Sequence, residues 1–220
     1  MEINNLQRTI LQSFATLSGA KQSFYLTGGT ALSLFYLHHR KSYDLDVFTA
    51  DAELIVPFSD ELTDTLKSMG IAVDRKRALR SFVELNAMYQ NEQTIIHLAI
   101  DSPYRIEEPV TFEGYPDLHV DGLKDIAANK MLALFGRALP RDFLDVYFLS
   151  RTFEKEELMT LARRKDPGFD LYWFGASLER ISQFTENTFE MHILLQPMSY
   201  EAVREFFASW QVQVTAELKK

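Results

Sequence analysis

Asp44 and Asp46 stand two apart in the run Tyr43, Asp44, Leu45, Asp46, Val47, Phe48, which alternates acids with apolar residues. Alternation of this kind reads as a half-buried strand, so both carboxylates leave the same face and can share one or two hard cations. Paired carboxylates suit Mg²⁺, which keeps several waters and completes its octahedron with phosphate oxygens of a substrate. An Asp-x-Asp triplet alone is weak evidence, and the residues upstream strengthen it. Gly28 and Gly29 follow the apolar Phe24, Tyr25, Leu26 and precede a second apolar run, as glycines do where backbone N–H groups open a helix toward an anion. Thr30 can cap that helix or donate its hydroxyl to a phosphate; a plain strand–helix turn is the alternative. No lysine follows the glycines at the spacing of a P-loop. Asp101 ends the apolar run 94–100 and is a candidate third carboxylate, as metal ligand or general base; the alternative is a cap on the turn at Ser102 and Pro103.

The elements that must position these residues follow from periodicity. Helical spacing covers 7–17, with Ile10, Leu11, Phe14 and Leu17 on one face, then 30–39 after the glycines, and 58–69 closed by Gly70. Strand composition marks 24–26, 43–48, 72–73, 81–89 and 93–100, the last three as an antiparallel meander turning at 90–92. From Asp121 onward every segment is helical: 123–137, 141–151, 155–164, 172–186 and 200–218. The expected class is α+β, with a mixed-sheet lobe over 1–120, a helical lobe over 121–220 and a nucleotide cleft between them.

Bulk composition narrows the function classes. The chain has 220 residues, a net charge of −8, 46% hydrophobic and 25% charged residues, and no cysteine. Extended disorder, disulfide scaffolds, thiolate nucleophiles, Fe–S clusters and cysteine-built zinc sites are excluded. The acidic balance argues against coating nucleic acid by charge alone. No signal-peptide pattern opens the sequence, and the longest uncharged stretch, 22–39, is broken by glycines, so a cytoplasmic protein without a membrane span is expected.

The run 26–32, followed by Arg40, Lys41, Ser42, Tyr43 and the Asp44–Asp46 strand, resembles the signature of the AbiEii/AbiGii-type nucleotidyltransferases. These are toxins of bacterial toxin–antitoxin and phage-abortive systems, built on the DNA polymerase β-like nucleotidyltransferase fold. The block from Asn129 and Lys130 through Arg137 to Arg141, Asp142, Asp145, Val146 and Tyr147 is similar to that family's helix-borne Lys, Arg and Arg-Asp-x-x-Asp-Leu-Tyr pattern. The resemblance implies nucleotide phosphates held by Gly28, Gly29 and Thr30, Mg²⁺ on Asp44 and Asp46, Lys130 on the triphosphate, and Asp142 completing the site. It implies transfer of a nucleotide from an NTP to an acceptor hydroxyl, such as that of a tRNA end or another RNA, and a cognate antitoxin. Lys130 and Arg137, seven apart, could also form one cationic clamp for polyphosphate; a salt-bridge network with Asp142 and Asp145 is the alternative. Asp145 itself reads as structural, in the first turn of its helix. A small-molecule acceptor and a non-catalytic, NTP- or partner-binding module are the other two readings.

Arg75, Lys76, Arg77 and Arg80 form the densest basic run, either an RNA contact or a solvated hairpin edge. No two of the histidines 38, 39, 97, 119 and 192 have zinc-motif spacing, so all are expected to be structural. Tyr172, Trp173 and Phe174, with the C-terminal stripe Val203, Phe206, Phe207 and Trp210, are expected in the core of the helical lobe.

Overall fold

A computed structural model of the chain describes residues 2–102 and 104–219 and divides into two compact units. The first comprises 2–36 with 41–122, the second 37–40 with 123–219. The turn at Ser102 and Pro103 expected from the sequence includes a residue outside those described.

The first unit is built on a seven-stranded mixed sheet in the order β3-β4-β5-β2-β1-β7-β6. Its strands are β1 (Phe24–Thr27), β2 (Asp44–Thr49), β3 (Ala72–Leu79), β4 (Phe82–Tyr89), β5 (Glu92–Ile100), β6 (Val110–Phe112) and β7 (Tyr115–Val120). β3, β4 and β5 form the expected antiparallel meander, and β5 then runs parallel to β2. β1 is buried at all four positions, as suits a strand covered on both faces between β2 and β7. β2 alternates half-buried and buried positions, with Leu45 and Val47 inward and Asp44 and Asp46 on the other face.

The apolar face packs under α1 (Asn5–Ser13) and α3 (Ala52–Ser68), where Phe58 stacks on Phe24 at 4.0 Å between ring centroids. α3 starts six residues earlier than the spacing suggests, capped by Asp51, which accepts from the Glu53 N–H. Pro57 lies inside it and costs one backbone bond near the helix start, so it does not end the helix as a proline in mid-helix does. After Gly28 the chain makes one helical turn, α2 (Gly28–Ala31), and then a π-helical stretch over Leu32–Leu37, where the sequence suggested one regular helix. β6 and β7 have no counterpart in the sequence reading; both are short, and β7 alternates weakly.

The second unit holds α4 (Leu123–Gly136), α5 (Pro140–Leu149), α6 (Lys155–Lys165), α7 (Leu171–Glu179), α8 (Glu186–Glu190) and α9 (Tyr200–Glu217). Phe143, Phe174, Phe207 and Trp210 form its aromatic centre, with Phe143 and Phe207 edge to face at 4.9 Å. Tyr172 and Trp173 are not core: they are 62% and 63% exposed, while Phe174 is fully buried. The physical reason is helical phase. Asp170 caps α7, and the inward positions 174, 175 and 178 leave 172 and 173 on the outer side. Phe206 is half-buried, whereas Val203, Phe207 and Trp210 are buried.

Candidate active site

In the first unit the antiparallel register of β1 and β2 sets Thr27 opposite Asp46, so the chain reaches Gly28 directly beside that carboxylate. Gly28 has φ +70°, and a Cβ there would collide with the Asp46 side chain. Only glycine satisfies both conditions. Thr30 is fully buried, and its hydroxyl donates to the Asp44 carbonyl at 2.5 Å. It therefore fixes the start of β2 and does not cap the helix. Thr27 occupies the cap position, and its hydroxyl donates to the buried Asp121 at 2.8 Å.

The parallel register of β2 and β5 places His97 beside Asp46. His97 Nδ1 donates to Asp46 Oδ1 at 2.9 Å, and both side chains are about three-quarters buried (25% and 28% exposed). The hydrogen bond to Asp46 raises the His97 pKa; burial opposes it, and the charges of Asp46, Asp44 and Glu84 add to the rise. Sequence reasoning treated this histidine as structural. The signal was its two-residue phase with Ile95 and Ala99, but the register that brings it to Asp46 is a long-range property.

Asp101 does not join the pair. Its N–H donates to the Thr49 carbonyl, beyond the far end of β2 from Asp44. It follows His97 by four positions, ~13 Å of strand at the usual rise. There Asp101 accepts from the Tyr25 hydroxyl at 2.6 Å and from the Ser102 N–H at 2.7 Å, with Arg105 at 3.6 Å. Burial first, and then the Asp101 hydrogen bond, push the Tyr25 hydroxyl pKa up. Among the described residues no group of three His, Cys, Asp or Glu side chains could hold a metal ion. Asp44 and Asp46 remain a two-carboxylate, all-oxygen donor set with a glycine backbone against it, which fits a hard cation that also takes water and phosphate oxygens.

The second unit separates the candidates Lys130, Arg137 and Asp142 into two clusters. Lys130 pairs with Asp145 at 2.7 Å. Arg40 grips the same carboxylate through Nε at 2.7 Å and Nη2 at 2.9 Å, and His39 Nε2 lies 2.8 Å away. Burial drives the Asp145 pKa upward, but Arg40, Lys130 and the hydrogen bonds from His39 and Arg40 outweigh it and hold the carboxyl well below its ordinary range. Burial pushes His39 down, against the raising effect of Asp145. Arg137 lies just past α4 and holds Asp142 at 2.8 and 2.9 Å, while Asp142 also accepts from the Leu139 N–H at 3.1 Å. Asp142 thus caps α5, and the carboxylate on Lys130 is Asp145. Arg75 and Lys76 on the edge strand β3 pair with Asp60 of α3 and with Asp74, and Arg80 in the turn after β3 pairs with Glu53 of α3.

A mixed sheet with a glycine turn packed on an Asp-x-Asp strand, joined to a helical unit, is the architecture of the nucleotidyltransferases. JHP933 from Helicobacter pylori shares the fold at a TM-score of 0.63 and 22% identity, over 97% of this chain and 90% of that one. MenT4, a nucleotidyltransferase toxin from Mycobacterium tuberculosis H37Rv, matches at a TM-score of 0.58 and 18% identity, over 92% of this chain and 80% of its own. An uncharacterized protein of Aquifex aeolicus (strain VF5), aq_aa25, is 29% identical over 210 residues, covering 91% of this chain and 92% of that protein. The family described as "Nucleotidyl transferase AbiEii toxin, Type IV TA system" matches residues 9–220. The chain belongs to that family, and it is a nucleotidyltransferase with the α+β fold expected from its sequence.

Proposed function

We propose that the chain moves a nucleotide from an NTP to an acceptor hydroxyl, with Mg²⁺ held by Asp44 and Asp46. The observation that carries this reading is the close packing of Gly28 on Asp46, beside Asp44 on one strand face. In the reaction the acceptor oxygen bonds to the α-phosphorus as the bond to the β-phosphate bridging oxygen breaks. Pyrophosphate leaves with the electron pair, and the hydroxyl proton passes to solvent. A bound divalent cation supplies charge neutralisation for the phosphate oxygens. The chain's own contribution is positioning: Gly28 and Gly29 let the backbone approach the phosphates, and Thr30 holds the strand that carries both acids. The family resemblance assigns Lys130, which Asp145 holds, and Arg137, which Asp142 holds, to the triphosphate.

RNA, including a tRNA end, is the acceptor suggested by the family resemblance, and a cognate antitoxin is the implied partner. A second acceptor class, a small molecule, is favoured by the net charge of −8 together with the carboxylate partners on Arg75, Lys76 and Arg80. Among the described residues no helix is long and apolar enough to cross a membrane, and the cytoplasm is the proposed site of action. The test is Mg²⁺-dependent transfer of each α-³²P-labelled NTP to total cellular RNA, with Asp46→Ala as control. Label in RNA that vanishes in the variant supports the reading. Nucleotide binding without RNA labelling moves the acceptor to a small molecule. Absence of both nucleotide binding and transfer refutes the reading.

A further inference from the structure

A site with two carboxylates leaves open what stands on the strand next to them. β5 runs parallel to β2, and the residue in register with Asp46 is His97. The residue in register with His97 on the far side, on β4, is Glu84, and the Phe82 ring lies tilted against the imidazole at 5.6 Å between centroids. His97 Nδ1 lies 2.9 Å from Asp46 Oδ1. A carboxylate oxygen only accepts, so Nδ1 carries the hydrogen in either state of the ring. On its other side Asp46 meets Gly28, whose missing Cβ would fall on Oδ2. The carboxylate is held at both oxygens: Oδ1 by a donor, Oδ2 by backbone with no side chain.

From this we infer that His97 is a positioning residue for the metal–nucleotide site, which orients Asp46 and stands where a third carboxylate would otherwise add charge. This inference rests on the metal-dependent reading given above. Two consequences follow. Loss of the Nδ1 donor frees Asp46 to rotate and weakens capture of the metal–nucleotide complex. A neutral or cationic ring in place of an acid also leaves the site with too little negative charge to hold a free divalent cation well, so the ligand it takes is the cation already bound to nucleoside triphosphate.

The test uses the full chain and two probes, Mn²⁺ alone and Mn²⁺ with the non-hydrolysable α,β-methylene-ATP, read by electron paramagnetic resonance. Thermal melts confirm that each variant is folded. His97→Asn keeps a donor near the Nδ1 position, His97→Phe keeps the ring without one, and His97→Asp installs the third carboxylate. Loss of a hydrogen bond that orients a metal ligand costs roughly 10- to 100-fold in affinity, so His97→Phe is expected to bind the Mn²⁺–analogue complex that much more weakly, with His97→Asn close to the parent. His97→Asp is expected to bind Mn²⁺ alone at least about tenfold more tightly than the parent chain. The inference is overturned if folded His97→Phe binds the complex like the parent, if His97→Asn is as impaired as His97→Phe, or if His97→Asp gains nothing for Mn²⁺ alone. Failure of the underlying reading looks different: Asp44→Asn and Asp46→Asn would then leave binding of the Mn²⁺–analogue complex intact.

Discussion

Gly28→Ala tests the site geometry most directly, because the structure holds its own control. Gly28 has φ +70° and Gly114, in the turn between β6 and β7, has φ +84°. Alanine at either position must adopt a left-handed backbone, at a cost of roughly 1 kcal/mol. A Cβ at position 114 meets nothing within 4 Å, whereas at position 28 it collides with the Asp46 carboxylate. Gly114→Ala therefore isolates backbone strain, and the difference between the two variants isolates the encounter with Asp46.

To escape the collision Asp46 must swing away from Gly28, which breaks its hydrogen bond with His97. A charge-assisted bond of this kind is worth ~1.5–3 kcal/mol when buried; partial exposure brings the expected figure to the lower end. Urea unfolding should then show Gly114→Ala destabilised by about 1 kcal/mol and Gly28→Ala by about 2–3 kcal/mol. The difference in nucleotidyl transfer should be far larger. Displacing a reacting-centre ligand by about 1 Å costs on the order of 100-fold, so Gly28→Ala should lose about that much of kcat/KM at full folding, with Gly114→Ala unchanged. Equal transfer rates for two folded variants would refute the placement of Gly28 against a catalytic carboxylate.

Other variants separate the remaining acids. Asp145→Asn strips the partner from buried Arg40 and Lys130 and should destabilise the chain by about 3–5 kcal/mol in urea melts. Asp101→Asn should keep transfer within a few-fold of the parent while costing about 1 kcal/mol, since its bonds are to Tyr25 and the Ser102 N–H; loss of activity on the scale of Asp46→Ala would put it back in the site. Two lowered pKa values make stability fall as pH drops, while the raised His97 pKa acts in the opposite sense. The unfolded chain takes up protons that folded Asp145 and His39 do not, so stability falls as pH drops: His39 begins this below its ordinary value of 6.5 and Asp145 below the ordinary 3.8. His39→Gln, which keeps a donor for Asp145, should flatten the urea-midpoint profile just below pH 6.5; an unchanged slope there would contradict a neutral buried His39.

The sequence carried the parts of this structure that local rules determine. Alternation in β2 placed Asp44 and Asp46 on one face, and the glycine pair marked the turn that packs on them, because both are set by backbone geometry over a few residues. Register between distant strands is not local. Whether His97 or Asp101 meets Asp46 depends on how β5 slides along β2, and the register brings His97 to Asp46 and leaves Asp101 far along the sheet. The same limit hid which basic partner each of Asp142 and Asp145 takes. They stand three apart near the start of one helix, and although the sequence suggested Asp145 for the first turn, only Asp142 lies in the first turn of α5. What distinguishes them is that Asp142 turns back to its own N-terminus and Arg137, while Asp145 meets Lys130 and the Leu37–Arg40 segment from elsewhere in the chain.

Charge compensation gives an independent reason to seat the cation on β2. Asp145 is fully buried among Arg40, Lys130 and His39, and Asp142 is fully buried against Arg137 and a helix N-terminus. A divalent cation on Asp145 would have to displace buried Arg40 or Lys130, leaving that charge without a partner, and one on Asp142 would have to displace Arg137 and the Leu139 N–H from a fully buried carboxylate. Asp46 instead accepts from one imidazole nitrogen, packs on the Gly28 backbone and is 28% exposed. Its partner at Oδ1 is a donor that a cation on Oδ2 need not displace. Asp145 and Asp142 are thus occupied in fixing Lys130 and the start of α5, which supports the proposal that the cation sits on β2. Doubling the Mg²⁺ requirement at fixed NTP should therefore follow from Asp44→Glu or Asp46→Glu, whose longer side chains shift the ligand oxygens, while Asp142→Asn should lower stability by about 1–2 kcal/mol and leave the Mg²⁺ dependence unmoved. A shifted Mg²⁺ dependence in Asp142→Asn would place the cation in the second unit and overturn this assignment.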